Sequence, residues 1–189
     1  DVTILRELPF PHSIGLLYSA FTYYLGFKVN SGEYKLMGLA PYGNKGSQRV
    51  EKYTEQILAN LIDTRDDGSI LLNMEYFDYA TGLKMCNNDQ WQALFGLARR
   101  ESESDFSQEY MDMALAIQEI TEDMVLRLAE TAKKLTGCDN LVMAGGVALN
   151  CVANGKLLRK KIFNRLWIQP AAGDAGGALG AAYAGWHIW

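Results

Sequence analysis

Val142-Met-Ala-Gly-Gly-Val-Ala-Leu-Asn150 decides how this chain is read. An apolar run stops at two glycines and a helical pattern begins directly after them, so the segment predicts a strand, a tight turn and a helix N-terminus. Backbone N–H groups at such a turn lack intrahelical partners, and the helix dipole adds partial positive charge. With no side chain at Gly145 or Gly146, an anion can come close to the backbone, and a nucleotide phosphate is a natural guest. An ordinary strand-to-helix turn of an α/β protein also uses glycines, so the segment alone leaves both readings open.

A second stretch repeats the order. Leu166-Trp-Ile168 is apolar and leads into Gln169-Pro-Ala-Ala-Gly-Asp-Ala-Gly-Gly-Ala-Leu-Gly-Ala-Ala182. Asp174 stands where a helix N-cap belongs, and the same carboxylate suits a metal ligand or a contact to substrate. Glycine disfavours a helix by roughly 1 kcal/mol relative to alanine, so Gly176, Gly177 and Gly180 point to close approach of another backbone or of a ligand. Alternating strands and helices predict an α/β fold with a mainly parallel sheet and helices on its faces. Ligands of such sheets sit beyond the carboxyl ends of the strands, where both glycine loops fall, so the two loops can face one pocket.

Working outward, residues 2–8 read as a strand. Ser13 caps a helix with Ile14, Leu17, Tyr18, Phe21 and Leu25 on one face, ended by Gly26. Residues 28–46 hold many Gly, Asn, Pro and Ser and read as an ordered loop. A helix follows from about Gln48, Asp66-Asp-Gly-Ser69 is a turn, and residues 70–79 read as a strand. Asn88 caps a short helix. Ser107 caps the longest one, whose stripe runs from Tyr110 to Leu135 before Gly137 stops it. Strand 141–144, a helix from about 147, strand 165–169 and a helix from about 174 complete the order.

The 189 residues, 49% of them hydrophobic, supply a core for one domain or part of one. A net charge of −4 and the lack of a long Lys/Arg run argue against a nucleic-acid surface. Cys86, Cys138 and Cys151 make neither a disulfide framework nor a metal spacing, which points to a reducing cytoplasm. No apolar run reaches the ~20 residues that span a bilayer. His12 and His187 are far apart in sequence. There is no G-x-S-x-G elbow, no Walker lysine after the glycines and no G-x-G-x-x-G fingerprint. The start without Met inside a strand-like run, and the final helix running into Trp186-His-Ile-Trp189, read as an excised piece of a longer protein.

Four blocks carry a resemblance: Pro11-His-Ser-Ile-Gly-Leu-Leu-Tyr-Ser-Ala-Phe-Thr-Tyr-Tyr-Leu-Gly-Phe27, Ser31-Gly-Glu-Tyr-Lys-Leu-Met-Gly-Leu-Ala-Pro-Tyr-Gly43, and the two glycine-loop segments at 144–154 and 169–182. In this order they resemble the O-carbamoyltransferase family of nodulation-factor and antibiotic-tailoring enzymes. The resemblance implies an actin-like ATPase (ribonuclease H-like) lobe, a mixed sheet with helices on both faces. Residues 1–189 would be the second lobe of the N-terminal carbamoyltransferase domain, with a helical and loop insertion at about 28–105. It implies a C-terminal YrdC-like domain, not contained in this sequence, that makes carbamoyl adenylate from carbamoyl phosphate and ATP. The N-terminal domain then transfers the carbamoyl group to the hydroxyl of a small-molecule acceptor.

The same resemblance suggests nucleotide contacts at Gly145, Gly146 and Val147, and backbone at Gly15 pressed against the adenosine. Asn150 and Asn154 would hydrogen-bond the nucleotide, with local helix capping as the alternative. Glu33 and Lys35 would touch nucleotide or acceptor, or form a solvated surface pair. Asp174 would be one ligand of a divalent metal, iron being the expected ion, whose histidine ligands belong to a segment before this sequence. The implied partners are carbamoyl phosphate, the hydroxyl acceptor and the N- and C-terminal remainder of the same polypeptide, with no nucleic acid and no membrane. No catalytic residue is assigned, and the 189 residues alone are expected to be inactive. A noncatalytic adenine-nucleotide-binding module of the same superfold is the alternative; a sugar kinase fits the first two blocks less well.

Overall fold

A computed structural model describes residues 3–189 and divides into two compact units, one up to Met124 and one from Val125. In the first unit, α1 (Ile14–Tyr24) starts at Ser13, whose hydroxyl accepts from the Leu16 N–H at 3.3 Å. It buries Leu17, Phe21 and Tyr24. Gly26 takes the left-handed conformation (φ +77°) that turns the chain away, and a Cβ there would lie 2.7 Å from the Arg100 carbonyl oxygen.

Residues 28–46 are not mainly loop. They hold α2 (Glu33–Leu39) and a 3₁₀ turn over Ala40–Tyr42. No Ser, Thr, Asn or Asp marks the start of α2. The Glu33 carboxylate instead reaches back to the N–H groups of Asn30 (3.0 Å) and Gly32 (3.1 Å). Leu36, Leu39 and Ala40 are buried. The chain leaves this turn at Gly43, where a Cβ would lie 2.6 Å from the Leu115 Cβ and 2.8 Å from the Met111 carbonyl oxygen.

Capped by Ser47, α3 (Gln48–Gln56) runs on into a π-helical turn over Ile57–Leu61. An antiparallel hairpin follows, β1 (Ile62–Thr64) with β2 (Ile70–Leu72), Ile62 opposite Leu72. The strand expected over 70–79 thus ends at Leu72, because Asn73 turns its side chain onto the Glu75 N–H (3.3 Å) and starts a 3₁₀ turn over Met74–Tyr76. Next, α4 (Asn88–Phe95) is capped by Asn87, one residue earlier than expected, and stopped by Gly96 (φ +68°). The longest helix, α5 (Gln108–Thr136), spans the division between the units.

The core of the first unit is aromatic. The ring of Trp91, fully buried, lies 4.7 Å from that of Phe21, 5.0 Å from Tyr24 and 5.6 Å from Phe95, and its N–H donates to the Tyr76 carbonyl at 2.9 Å. The strand expected over 2–8 is corrected: residues 3–8 are exposed and irregular, and among the described residues no strand pairs with them, while residues 1 and 2 lie outside the described residues. The chain is pinned only beyond them. His12 Nδ1 accepts from the Leu72 N–H at 3.0 Å, and the Tyr79 hydroxyl donates to the Pro11 carbonyl at 2.7 Å.

In the second unit, Gly137 (φ +65°) ends α5. Then β3 (Asn140–Met143) and β4 (Arg165–Ile168) pair in parallel, Val142 opposite Trp167, joined through α6 (Cys151–Lys160). The last element is α7 (Gly176–Ile188). The result is a mixed α/β chain with two small sheets, so the mainly parallel sheet is reduced, among the described residues, to one parallel pair. That pair keeps Val142 71% and Trp167 60% exposed, unlike parallel sheets generally, which are covered on both faces. No helix among the described residues is long and apolar enough to cross a membrane.

Candidate functional site

Both glycine loops sit where the sequence places them, at the carboxyl ends of β3 and β4, and they meet. The Gly145 N–H donates to the Ala172 carbonyl at 2.7 Å. Gly145 has φ +98°, a conformation that L side chains rarely adopt. Gly146 does not need glycine for its own backbone, and a Cβ there would meet nothing within 4 Å. The N–H groups of Gly146 and Val147 carry no hydrogen bond among the described residues. Two adjacent free donors beside open space can receive an anion.

The helix expected from about 147 begins later. Residues Gly146–Leu149 form a 3₁₀ turn, and α6 starts at Cys151. Asn150 is its N-cap, and its side chain accepts from the Ala153 N–H at 3.1 Å. The unbonded donors therefore belong to the glycine turn itself, and Asn150 takes the capping role. Asn154 is divided. Its Nδ2 donates to the Ala148 carbonyl at 2.7 Å, which braces the turn, while its Oδ1 is buried with no partner among the described residues. Oδ1 is the atom left to accept from a ligand.

Asp174 is exposed and is not a cap: Ala175 holds that position, and no side chain caps α7. The Asp174 backbone carbonyl accepts from the Gly177 N–H at 3.3 Å, and its carboxylate has no partner among the described residues. Among the described residues no three His, Cys, Asp or Glu side chains are placed to hold a metal. One carboxylate is fewer ligands than a metal site needs, so these residues by themselves do not fit the expected ion. Of the three later glycines, Gly176 is explained by packing, since a Cβ there would collide with the Gln169 side chain and lie 2.5 Å from the Ala171 carbonyl oxygen. Nothing lies within 4 Å of a Cβ at Gly177 or Gly180.

Gly15, Glu33 and Lys35 belong to the first unit. Gly15 is half-buried in the first turn of α1. Besides its two backbone bonds, Glu33 accepts from the Ser19 hydroxyl at 2.8 Å, which ties α2 to α1. Its carboxylate is occupied by structure, whereas Lys35 is exposed. Sequence reasoning missed Ala172, whose carbonyl joins the two loops; an alanine carries no signal of that role.

Paired glycine loops at the carboxyl ends of two parallel strands mark the chain as an α/β protein with a strand-end site. The chain belongs to the Carbamoyltransferase N-terminus family, whose pattern matches residues 1–183. It is 61% identical to an uncharacterized protein of Synechocystis sp. over 96% of this chain and 28% of that protein. It is 35% identical to the nodulation protein NolNO of Sinorhizobium fredii, over 96% of this chain and 24% of the relative. With the nodulation protein NolO of Bradyrhizobium diazoefficiens it shares 36% identity over 95% of this chain and 30% of the relative. The chain therefore spans between about a quarter and a third of the length of these relatives.

Proposed function

We propose that this chain is the nucleotide-side part of an O-carbamoyltransferase, within an actin-like ATPase lobe, that moves a carbamoyl group from carbamoyl adenylate to a substrate hydroxyl. Carbamoyl adenylate would be made from carbamoyl phosphate and ATP elsewhere in the intact protein. The hydroxyl oxygen attacks the carbamoyl carbon, negative charge builds on the carbonyl oxygen, and the carbon–oxygen bond to the phosphate breaks to release AMP. The hydroxyl proton leaves to a base that these residues do not identify. The N–H groups of Gly146 and Val147 hold the phosphate and stabilise its charge as it departs. Asn154 Oδ1 accepts a hydrogen bond from the nucleotide.

The observation that carries this reading is the bond from Gly145 to Ala172. It fixes the two loops together beside the unbonded N–H groups of Gly146 and Val147, and the Cβ position of Gly146 faces open space. Asp174 would supply one ligand of a metal in the intact protein, the remaining ligands coming from outside these residues. Three free thiols, Cys86, Cys138 and Cys151, support placement in the cytoplasm. Calorimetric titration of the intact protein with AMP tests the site. Saturable binding that is lost in Gly146→Val, with the circular dichroism of the fold unchanged, is the expected result. Equal affinity in the two proteins would remove the phosphate from this loop.

A further inference from the structure

Arg99 and Arg100 are neighbours in sequence with opposite surroundings. Arg100 is buried, and its charge is satisfied by structure. Its Nε donates to the Leu25 carbonyl at 2.7 Å, its guanidinium donates to the Ser104 carbonyl, and the group lies 3.9 Å over the Phe106 ring. Arg99 has no such partners. Its guanidinium lies 4.3 Å over the ring of Tyr23, its Nε is buried without a hydrogen bond, and no carboxylate pairs with it among the described residues. A charged N–H taken out of water without an acceptor is strongly unfavourable.

Movement of the backbone cannot relieve this, because it is fastened on both sides. The Tyr24 hydroxyl donates to the Leu97 carbonyl at 2.5 Å, the Tyr110 hydroxyl to the Ala98 carbonyl at 3.2 Å, and the Arg100 N–H to the Tyr24 carbonyl at 3.0 Å. The platform is held as well, since the Asn88 Nδ2 donates to the Tyr23 hydroxyl at 3.5 Å. Near the buried Cys86 thiol stand two cations, Arg99 and Lys84, and the Asp78 carboxylate. A guanidinium stacked on an aromatic ring presents a planar fork of donors suited to two oxygens of one anion.

We propose that Arg99, stacked on Tyr23, anchors a binding site for an oxyanion, a carboxylate or phosphate group carried by a ligand. The site is built from residues of the first unit alone and does not depend on carbamoyl transfer. The test follows the arginine Nε–H signals of the intact, isotope-labelled protein by NMR during titration with inorganic phosphate and, separately, acetate at constant ionic strength. One signal, absent in Arg99→Lys, should shift saturably with at least one probe, while that of Arg159 on exposed α6 does not. Saturation by phosphate alone identifies a phosphate ligand, and by acetate alone a carboxylate. Arg99→Lys keeps the charge but loses the fork, and should weaken probe binding at least fivefold as read from the backbone amide shifts of Tyr23 and Arg100; Tyr23→Leu should weaken it too, with the fold verified by circular dichroism. The shift should persist in Gly146→Val, so this site and the glycine-loop site stand or fall separately. No shift of the Arg99 signal, a parallel drift of all arginine signals, equal affinity in Arg99→Lys, or loss of the shift in Gly146→Val would overturn the proposal.

Discussion

At the scale of single residues, the division between structure and function runs through neighbouring side chains. Asn150 and Glu33 spend their oxygens on helix starts, while Asn154 Oδ1 and the Asp174 carboxylate are left without such work. Asp174→Asn therefore removes charge without removing a cap, and the fold should be indifferent to it. In the intact protein, bound metal measured by elemental analysis should fall with this change, and carbamoyl transfer with it; wild-type metal content would remove Asp174 from the ligand set. The sequence marked Gly145 and Gly146 as a pair but not which one needs glycine. That depends on φ, and the turn that gives Gly145 its positive φ also bonds to Ala172, a contact between loops some 27 positions apart in the sequence.

At the scale of elements, α1 was legible because its cap and its apolar stripe agree. By contrast, α2 was hidden. Gly32, Gly38, Pro41 and Gly43 read as loop, and its start uses a glutamate reaching backward rather than a capping serine. Gly43 is there because α5 is close. Gly43→Ala should lower stability by about 1–3 kcal/mol through overpacking against Met111 and Leu115. At Gly46 (φ +75°, nothing within 4 Å of a Cβ) alanine should act through backbone strain alone, about 1–2 kcal/mol. Urea midpoints of the two variants read both effects. An unchanged midpoint for Gly43→Ala would mean that α5 does not press on this turn. The strand read over 2–8 shows the opposite failure: β-like residues without a partner strand do not make a strand.

At the scale of the whole molecule, the buried aromatic core sets how stability responds to pH. Burial pushes the Tyr79 hydroxyl up to about 12 and also raises Tyr24, Tyr53 and the Cys86 thiol. In an unfolded chain tyrosine ionises near 10 and cysteine near 8.5. These acids hold their protons more tightly when folded. Their contribution is complete below the unfolded values and is lost as pH rises towards the folded ones. The urea midpoint should hold steady up to about pH 8.5 and fall between roughly pH 9 and 12; a flat profile to the top of that range would show that these groups are not buried as described.

Gly146→Val tests whether the turn after β3 receives the phosphate of carbamoyl adenylate. The residue has open space around its Cβ position, so valine should leave the fold intact and fill only the ground a phosphate needs. The measurement is AMP release from carbamoyl adenylate by the intact protein with its hydroxyl acceptor, wild type against Gly146→Val. Valine keeps its own N–H but bars the phosphate from reaching the two donors, and losing such a contact to developing negative charge costs about 10²–10³-fold, so a decrease of that order is the expected result. Wild-type release of AMP by a folded Gly146→Val protein would contradict it.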